Sequence, residues 1–143
     1  IHDRSVTSRF RMLRDTTPLG AAAYRGHAEV VDLLIPHFQT KPALNRALLM
    51  AVVGQHPDIV QSLLQAGAEP TGLKIRGYSA AQLALALGDE SVVFLLLDHD
   101  HSAVMASLSE PFFIRILIHA EQFESLQKLI RLGINPDQRE DAR

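Results

Sequence analysis

The chain contains no cysteine and no tryptophan. Without thiols it can form no disulfide, thiolate metal site or cysteine nucleophile, and the composition is compatible with a reducing compartment. Long hydrophobic runs are missing too. None approaches the ~18 residues of a membrane-spanning helix, and His2, Asp3 and Arg4 at the start precede no apolar stretch of the kind a signal peptide needs. Neither sign of charge dominates. Fourteen Lys+Arg against sixteen Asp+Glu give a net charge of −2, which argues against a broad basic surface for nucleic acid. Lysine is the scarce cation, with three lysines to eleven arginines. What is present is globular: 143 residues, 47% hydrophobic and 21% charged, enough for one domain with a core of its own. The first residue is Ile1 and not Met, which reads as a piece of something longer.

The sequence repeats itself. Four apolar triplets share one helical spacing: Leu19, Ala22, Ala23; Leu48, Ala51, Val52; Ala81, Ala84, Leu85; and Ile114, Leu117, Ile118. Each is followed by a second set spaced i, i+1, i+4, i+5. These are Val30, Val31, Leu34, Ile35; Ile59, Val60, Leu63, Leu64; Val92, Val93, Leu96, Leu97; and Ser125, Leu126, Leu129, Ile130. Both spacings draw one stripe along a helix. Equivalent positions at Arg14, Ala43, Arg76 and Ser109 lie 29, 33 and 33 residues apart, and a helix pair recurring every ~33 residues is the mark of a solenoid.

Punctuation supports that reading. Thr17 is a natural N-cap with Pro18 at the first helical position. Ser79-Ala80-Ala81-Gln82 spells a capping box. Pro57 opens a second helix, and Gly67 and Gly133 stand where left-handed C-caps are wanted.

These residues resemble the ankyrin-repeat family. The likeness is carried by Thr17-Pro18-Leu19, Ala22-Ala23, Gly26-His27-Ala28-Glu29-Val30-Val31 and Leu33-Leu34, and again by His56, Asp58-Ile59-Val60 and Leu63-Leu64-Gln65-Ala66-Gly67-Ala68. Gly88, Val92-Val93 and Leu95-Leu96-Leu97 continue it, and Glu124, Leu126, Leu129-Ile130, Leu132-Gly133 and Asn135 end it in a diverged form. The resemblance implies an all-α solenoid of four stacked helix pairs with short hairpin or loop connections. The expected division is a leading arm or remnant over 1–13, a shortened repeat over 14–42, further repeats over 43–75, 76–108 and 109–141, and a tail over 142–143.

Departures from the family pattern carry information. The His that follows Thr-Pro-Leu in the family is Gly20, Leu49, Gln82 and Arg115 here, which puts that residue's hydrogen bonds in doubt. The 29-residue first spacing, with Pro36 interrupting the end of the second helix, points to a truncated or missing hairpin finger. Because solenoid stability is close to a nearest-neighbour sum, the Pro36–Pro42 junction is expected to be the weakest interface.

Chemistry finds little purchase. Asp98-His99-Asp100-His101 has metal-ligand residue types, but adjacent residues in one turn seldom converge on one ion, and solvated residues at a helix end explain them better. No phosphate-cradling Gly loop, nucleophile elbow or paired zinc motif is present. No catalytic residue, metal or cofactor is expected.

Binding is what the resemblance implies. Partners of ankyrin arrays usually lie on the hairpin tips and the exposed flank of the first helices. Carried over position by position, that surface comprises Arg14, Thr16, Tyr24 and Arg25, then Asn45 and Val53, then Arg76, Tyr78 and Leu87, and His119. Tyr and Arg are enriched at interface hot spots. The arginines suggest an acidic protein or peptide ligand, with no nucleic acid and no membrane. Phe94 and Leu95 stand where neighbouring units carry Gln61-Ser62 and Gln127-Lys128, which marks a possible second contact. The expected role is a protein–protein interaction module within a larger scaffold or bacterial effector. It would work in the cytoplasm or nucleus, or in the host cytosol for an effector. The alternative is a recruiting domain of an enzyme whose catalytic region lies elsewhere.

Overall fold

Thr17 and Pro18 start the first helix as their chemistry requires. In the computed structural model, which describes residues 17–134, Thr17 Oγ1 accepts the Gly20 N–H at 3.1 Å. Pro18 opens α1 (Pro18–Arg25), and Gly26, at φ 82°, closes it in the left-handed conformation that glycine adopts without strain. The chain turns at once into α2 (Ala28–Leu34), which packs back along α1 and ends in a 3-10 turn, Ile35–His37, containing Pro36. Thr40 caps α3 (Lys41–Gly54), and α4 (Pro57–Ala66) returns along it to a left-handed Gly67. Between α4 and α5 (Ala80–Leu87) lies a tight turn, in which Ile75 and Tyr78 exchange both backbone hydrogen bonds at 2.9 and 3.0 Å. Then follow α6 (Glu90–His99), α7 (His101–Leu108), α8 (Pro111–His119) and α9 (Phe123–Arg131). Among the described residues the architecture is all-α, four helix pairs (α1–α2, α3–α4, α5–α6, α8–α9) with α7 inserted between the last two.

The repeated triplets form the floor of the core. Leu19, Ala22, Ala23, Leu48, Ala51, Val52, Ala81, Ala84, Leu85, Ile114 and Leu117 are all buried, as are Ile59, Val60, Leu63 and Leu64 of α4 and Val92, Val93, Leu96 and Leu97 of α6. No single pair could hide these faces, so stacking is what folds the chain. The polar groups drawn inside are satisfied: no buried side-chain nitrogen or oxygen among the described residues lacks a partner.

The connections depart from the expected pattern. The first is no finger at all. Its residues are absorbed into α3, which starts at Lys41, six residues before the position expected from the repeat. The third is a helix, α7, nucleated by Asp100, whose side chain accepts the Ala103 N–H at 3.3 Å. Only the α4–α5 connection carries a hairpin turn among the described residues.

The expectation of a weak first junction is corrected. α1 lies against α3 more extensively than any other two helices meet. Both put alanine at buried positions, Ala22 and Ala23 on α1 and Ala47 and Ala51 on α3, and small side chains let helix axes approach closely. At the other end the relation reverses. α8 presents Phe113, Ile114 and Leu117 inward, so the last pair stands further off and meets the third through few backbone neighbours. Polar pins cross that gap instead. Ser125 Oγ donates to the Leu85 carbonyl at 3.2 Å, Lys128 pairs with Glu90 at 3.3 Å, and Lys74 pairs with Glu110 at 3.5 Å.

Candidate functional site

The inner helices α1, α3 and α5 follow one another down the stack in the same direction, because each is returned by a short antiparallel partner. Their N-terminal ends define one edge of the inner face and their C-terminal ends the other. An eight-residue helix such as α1 or α5 is about 12 Å long, which sets the separation of the two edges.

The candidate binding residues divide between those edges. Tyr24 and Arg25 at the end of α1, Val53 near the end of α3, Leu87 at the end of α5 and His119 at the end of α8 share the C-terminal edge. Arg25, Leu87 and His119 are exposed, whereas Tyr24 and Val53 are half-buried. Arg76 and Tyr78 belong to the turn at the opposite edge. Arg14 and Thr16 lie outside the described residues. The structure therefore brings Arg25 into line with Leu87 and His119, but not beside Arg76.

Arg76 is held out by its backbone. Arg76 and Gly77 take φ values of 54° and 86°, the pair of positive angles that a two-residue type I′ turn demands. The guanidinium thus stands at the turn's tip, and neither Arg25 nor Arg76 has an acidic partner among the described residues. Tyr78, one residue past the turn, leans its ring edge-on against Phe113, with centroids 6.4 Å apart at 74°. That contact is worth roughly 0.5–1.5 kcal/mol beyond area burial, and it ties the turn to α8.

The placement of Asn45 is corrected. It is not at a tip. It lies within α3, only 6% exposed, where its Oδ1 accepts the Glu69 N–H at 2.7 Å. Its side chain braces the segment after α4 and is not available to a partner. The early start of α3 is the reason, since it converts a loop position into an interior helical one.

His56 bridges the first two helix pairs. A carbonyl can only accept, so His56 Nε2–H donates to the Tyr24 carbonyl at 3.0 Å, linking the second pair to the end of α1. The ring fits because glycine flanks it: a Cβ at Gly26 would stand 2.6 Å from His56 Cε1. His27, its counterpart in the first pair, is exposed. Gln82, which stands where the family pattern has His, ties three segments together. Its Oε1 accepts the Ser79 N–H at 3.0 Å, and its Nε2 donates to the Ser107 carbonyl at 2.8 Å and to Glu110 Oε2 at 3.2 Å. The capping-box spelling revealed half of that network. The other half depends on α7, which no strong periodicity announced.

Of the second-contact pair, Phe94 is 54% exposed while Leu95 packs against the core. Phe94 edges an open groove of about 130 Å³ between α6 and α9, lined by Leu85, Val93 and Leu132 and by Glu90, Lys128 and Arg131. The Asp98–His101 tetrad does not assemble a ligand set, since no cluster of three His, Asp or Glu able to hold a metal occurs among the described residues. No helix there is long and apolar enough to cross a membrane.

Stacked helix pairs, a His56 bridge between the first two and, among the described residues, one hairpin turn are the geometry of a repeat array, and the sequence comparison names it. A family model described as "Ankyrin repeats (3 copies)" matches residues 2–73. The chain belongs to the ankyrin-repeat family. A solved ankyrin repeat domain, that of Bcl-3, a member of the IkappaB protein family, superposes with a TM-score of 0.66 at 26% identity, covering 87% of this chain and 60% of that one. The NF-kappa-B p105 subunit of Gallus gallus is 32% identical over 96 residues, which are 65% of this chain but 10% of the relative. The chain therefore spans about a tenth of that relative's length. Ankyrin arrays of this kind are non-catalytic protein–protein interaction modules.

Proposed function

We propose that this array binds an extended, acidic segment of a partner protein across its inner face, from the turn at Arg76 to the C-terminal edge at Arg25. The observation that carries this reading is the pair of exposed, unpartnered guanidinium groups at opposite edges of one face. A chain lying between them would cross one helix length and two helix-to-helix steps, about 20 Å or more in all, a span of about six or seven extended residues. Leu87 and His119 extend the C-terminal edge, and the half-buried Tyr24 and Tyr78 add contact area at low entropic cost. Cations held this way steer acidic partners and speed encounter at low salt. The array would serve as one part of a longer protein, in the cytosol or nucleus.

Selection of a displayed random-peptide library on the immobilised chain tests the proposal. Selected peptides should be enriched in Asp and Glu, and Arg25→Glu with Arg76→Glu should abolish that enrichment and flatten the salt dependence of binding. Peptides with no acidic bias, or affinity indifferent to both charge reversals, overturn it. The groove beside Phe94 then becomes the better candidate.

A further inference from the structure

The second helices of successive pairs do not meet alike. α4 lies close along α6, but α9 meets α6 through few backbone neighbours. One residue marks the difference. Lys128 of α9 stands at the repeat position that α6 gives to Leu95, a half-buried leucine packed against the core. A leucine there can turn its whole side chain inward, whereas a lysine must carry its ammonium out to water or to a partner. Lys128 does so, with Nζ 3.3 Å from Glu90 Oε1. The space that a leucine would fill is left as the groove of about 130 Å³ against Leu85, Val93 and Leu132. An apolar cavity of about 150 Å³ accepts one benzene, so this groove has room for one large apolar side chain.

Two further features of the groove say what it would take. Phe94 stands beside it, 54% exposed, where the neighbouring repeats carry the exposed, polar Gln61 and Gln127. An aromatic ring left in water next to an unfilled apolar groove is contact area without its contact. The charges around it are mostly committed. Asp89 Oδ1 accepts the Val92 N–H at 3.4 Å, and Glu90 is paired with Lys128. Arg131 is exposed and has no acidic partner among the described residues, so the uncommitted charge at the groove is positive. We propose that this groove is a docking site for a segment of a partner protein that carries a leucine- or phenylalanine-sized side chain next to a carboxylate. The side chain sits over Leu85, Val93 and Leu132 beside Phe94, and the carboxylate meets Arg131. The site is separate from the inner face, because neither Arg25 nor Arg76 lines it. One side chain and one ion pair bind only at about millimolar strength, so the contact adds to a partner's grip on the array without replacing the inner face.

The test uses defined probes. The methyl-labelled chain is titrated with acetyl-Leu-Asp-amide, acetyl-Leu-Asn-amide and acetyl-Ala-Asp-amide, and the methyl resonances of Leu85, Val93 and Leu132 are followed by NMR. The first probe should shift them saturably. It should bind about threefold more tightly than the asparagine probe, which lacks the charge, and about tenfold more tightly than the alanine probe, which lacks the anchor. Arg131→Glu should erase the preference for the carboxylate, and Phe94→Gln should weaken all binding. Lys128→Leu, which restores the leucine of the preceding repeat, should fill the groove and abolish binding. Arg131→Glu and Phe94→Gln alter exposed positions and should melt within about 3 °C of the unaltered chain, which shows that they fold. Arg25→Glu with Arg76→Glu should leave the titration as it was, so failure here is distinct from failure at the inner face. Methyl resonances that do not move, equal affinity for all three probes, or binding that persists in both Phe94→Gln and Lys128→Leu overturns the proposal. So does concentration-dependent dimerisation that Phe94→Gln abolishes, because the groove then belongs to a second copy.

Discussion

Two leucines with nearly identical burial should respond very differently to truncation. Leu63 of α4 is fully buried in the middle of the stack, and Leu129 of α9 is 2% exposed at its end. Leu→Ala removes three carbons, about 2.4 kcal/mol at roughly 0.8 kcal/mol for each. A residual cavity of about 40 Å³ adds about 1 kcal/mol at ~24 cal/mol per Å³. Leu63→Ala should therefore cost about 3–3.5 kcal/mol, and the loss should be global, because α4 belongs to a pair with packed neighbours on both sides. For a chain of this size that lowers the melting temperature by about 10 °C. Leu129→Ala loses the same local contacts, but its pair is held by few close backbone neighbours and by the Ser125, Lys128 and Lys74 pins. It should leave the main transition within about 3 °C and strip protection from α8 and α9 amides alone. Calorimetry together with hydrogen exchange on both variants separates the two outcomes. Equal shifts in the main transition, with α9 protection falling equally in both, would refute the unequal-junction reasoning.

Other consequences follow from single residues. Gln61→Ala, on the exposed side of α4, should stay within about 0.5 kcal/mol in denaturant melts, and a cost comparable with Leu63→Ala would mean the helix phase is wrong. Asn45→Ala should cost about 1–3 kcal/mol by leaving the Glu69 N–H without its acceptor, and an unchanged urea midpoint would show that the bond contributes nothing. Gly26→Ala combines a positive φ with a collision against the His56 ring, so a loss of at least about 1–2 kcal/mol is expected; wild-type stability would show that the ring relocates freely. Arg76→Gly relieves a left-handed non-glycine residue while deleting a cation, so it should keep the melting temperature and weaken binding of acidic peptides. Unaltered peptide affinity there would remove Arg76 from the binding face.

The core was legible because helical periodicity is a local property. The spacing of Leu48, Ala51 and Val52, or of Ile59, Val60, Leu63 and Leu64, already states which side of each helix is hidden, and all seven are buried. Caps were equally local: Thr17, the Ser79–Gln82 box and Gly67 act within one turn of themselves. Where a residue sits across the stack was not legible in the same way. A fixed repeat register assumes a finger before every inner helix, so it placed Asn45 at a tip, whereas α3 begins early and folds it inward. The same register says that Arg25 and Arg76 share a face, but not that they occupy opposite ends of it. α7 escaped notice because His101–Leu108 mixes small, polar and apolar residues without a clean stripe. Its helix is set by Asp100 and by Ser107 against Ser79, 2.5 Å between hydroxyls, a contact that exists only once the stack has formed.

The alanine seam between α1 and α3 has a mechanical consequence. A solenoid under tension is a row of springs in series, all bearing the same force, so the softest link lengthens first. Here the links are graded, from a close seam at one end to a spaced, pin-held joint at the other. Pulled along its axis, this chain should release α8 and α9 at low force while the first two pairs remain docked, giving a stepwise extension with a fixed order. The bulk of the side chains at each interface, alanine at one end and phenylalanine, isoleucine and leucine at the other, sets that order.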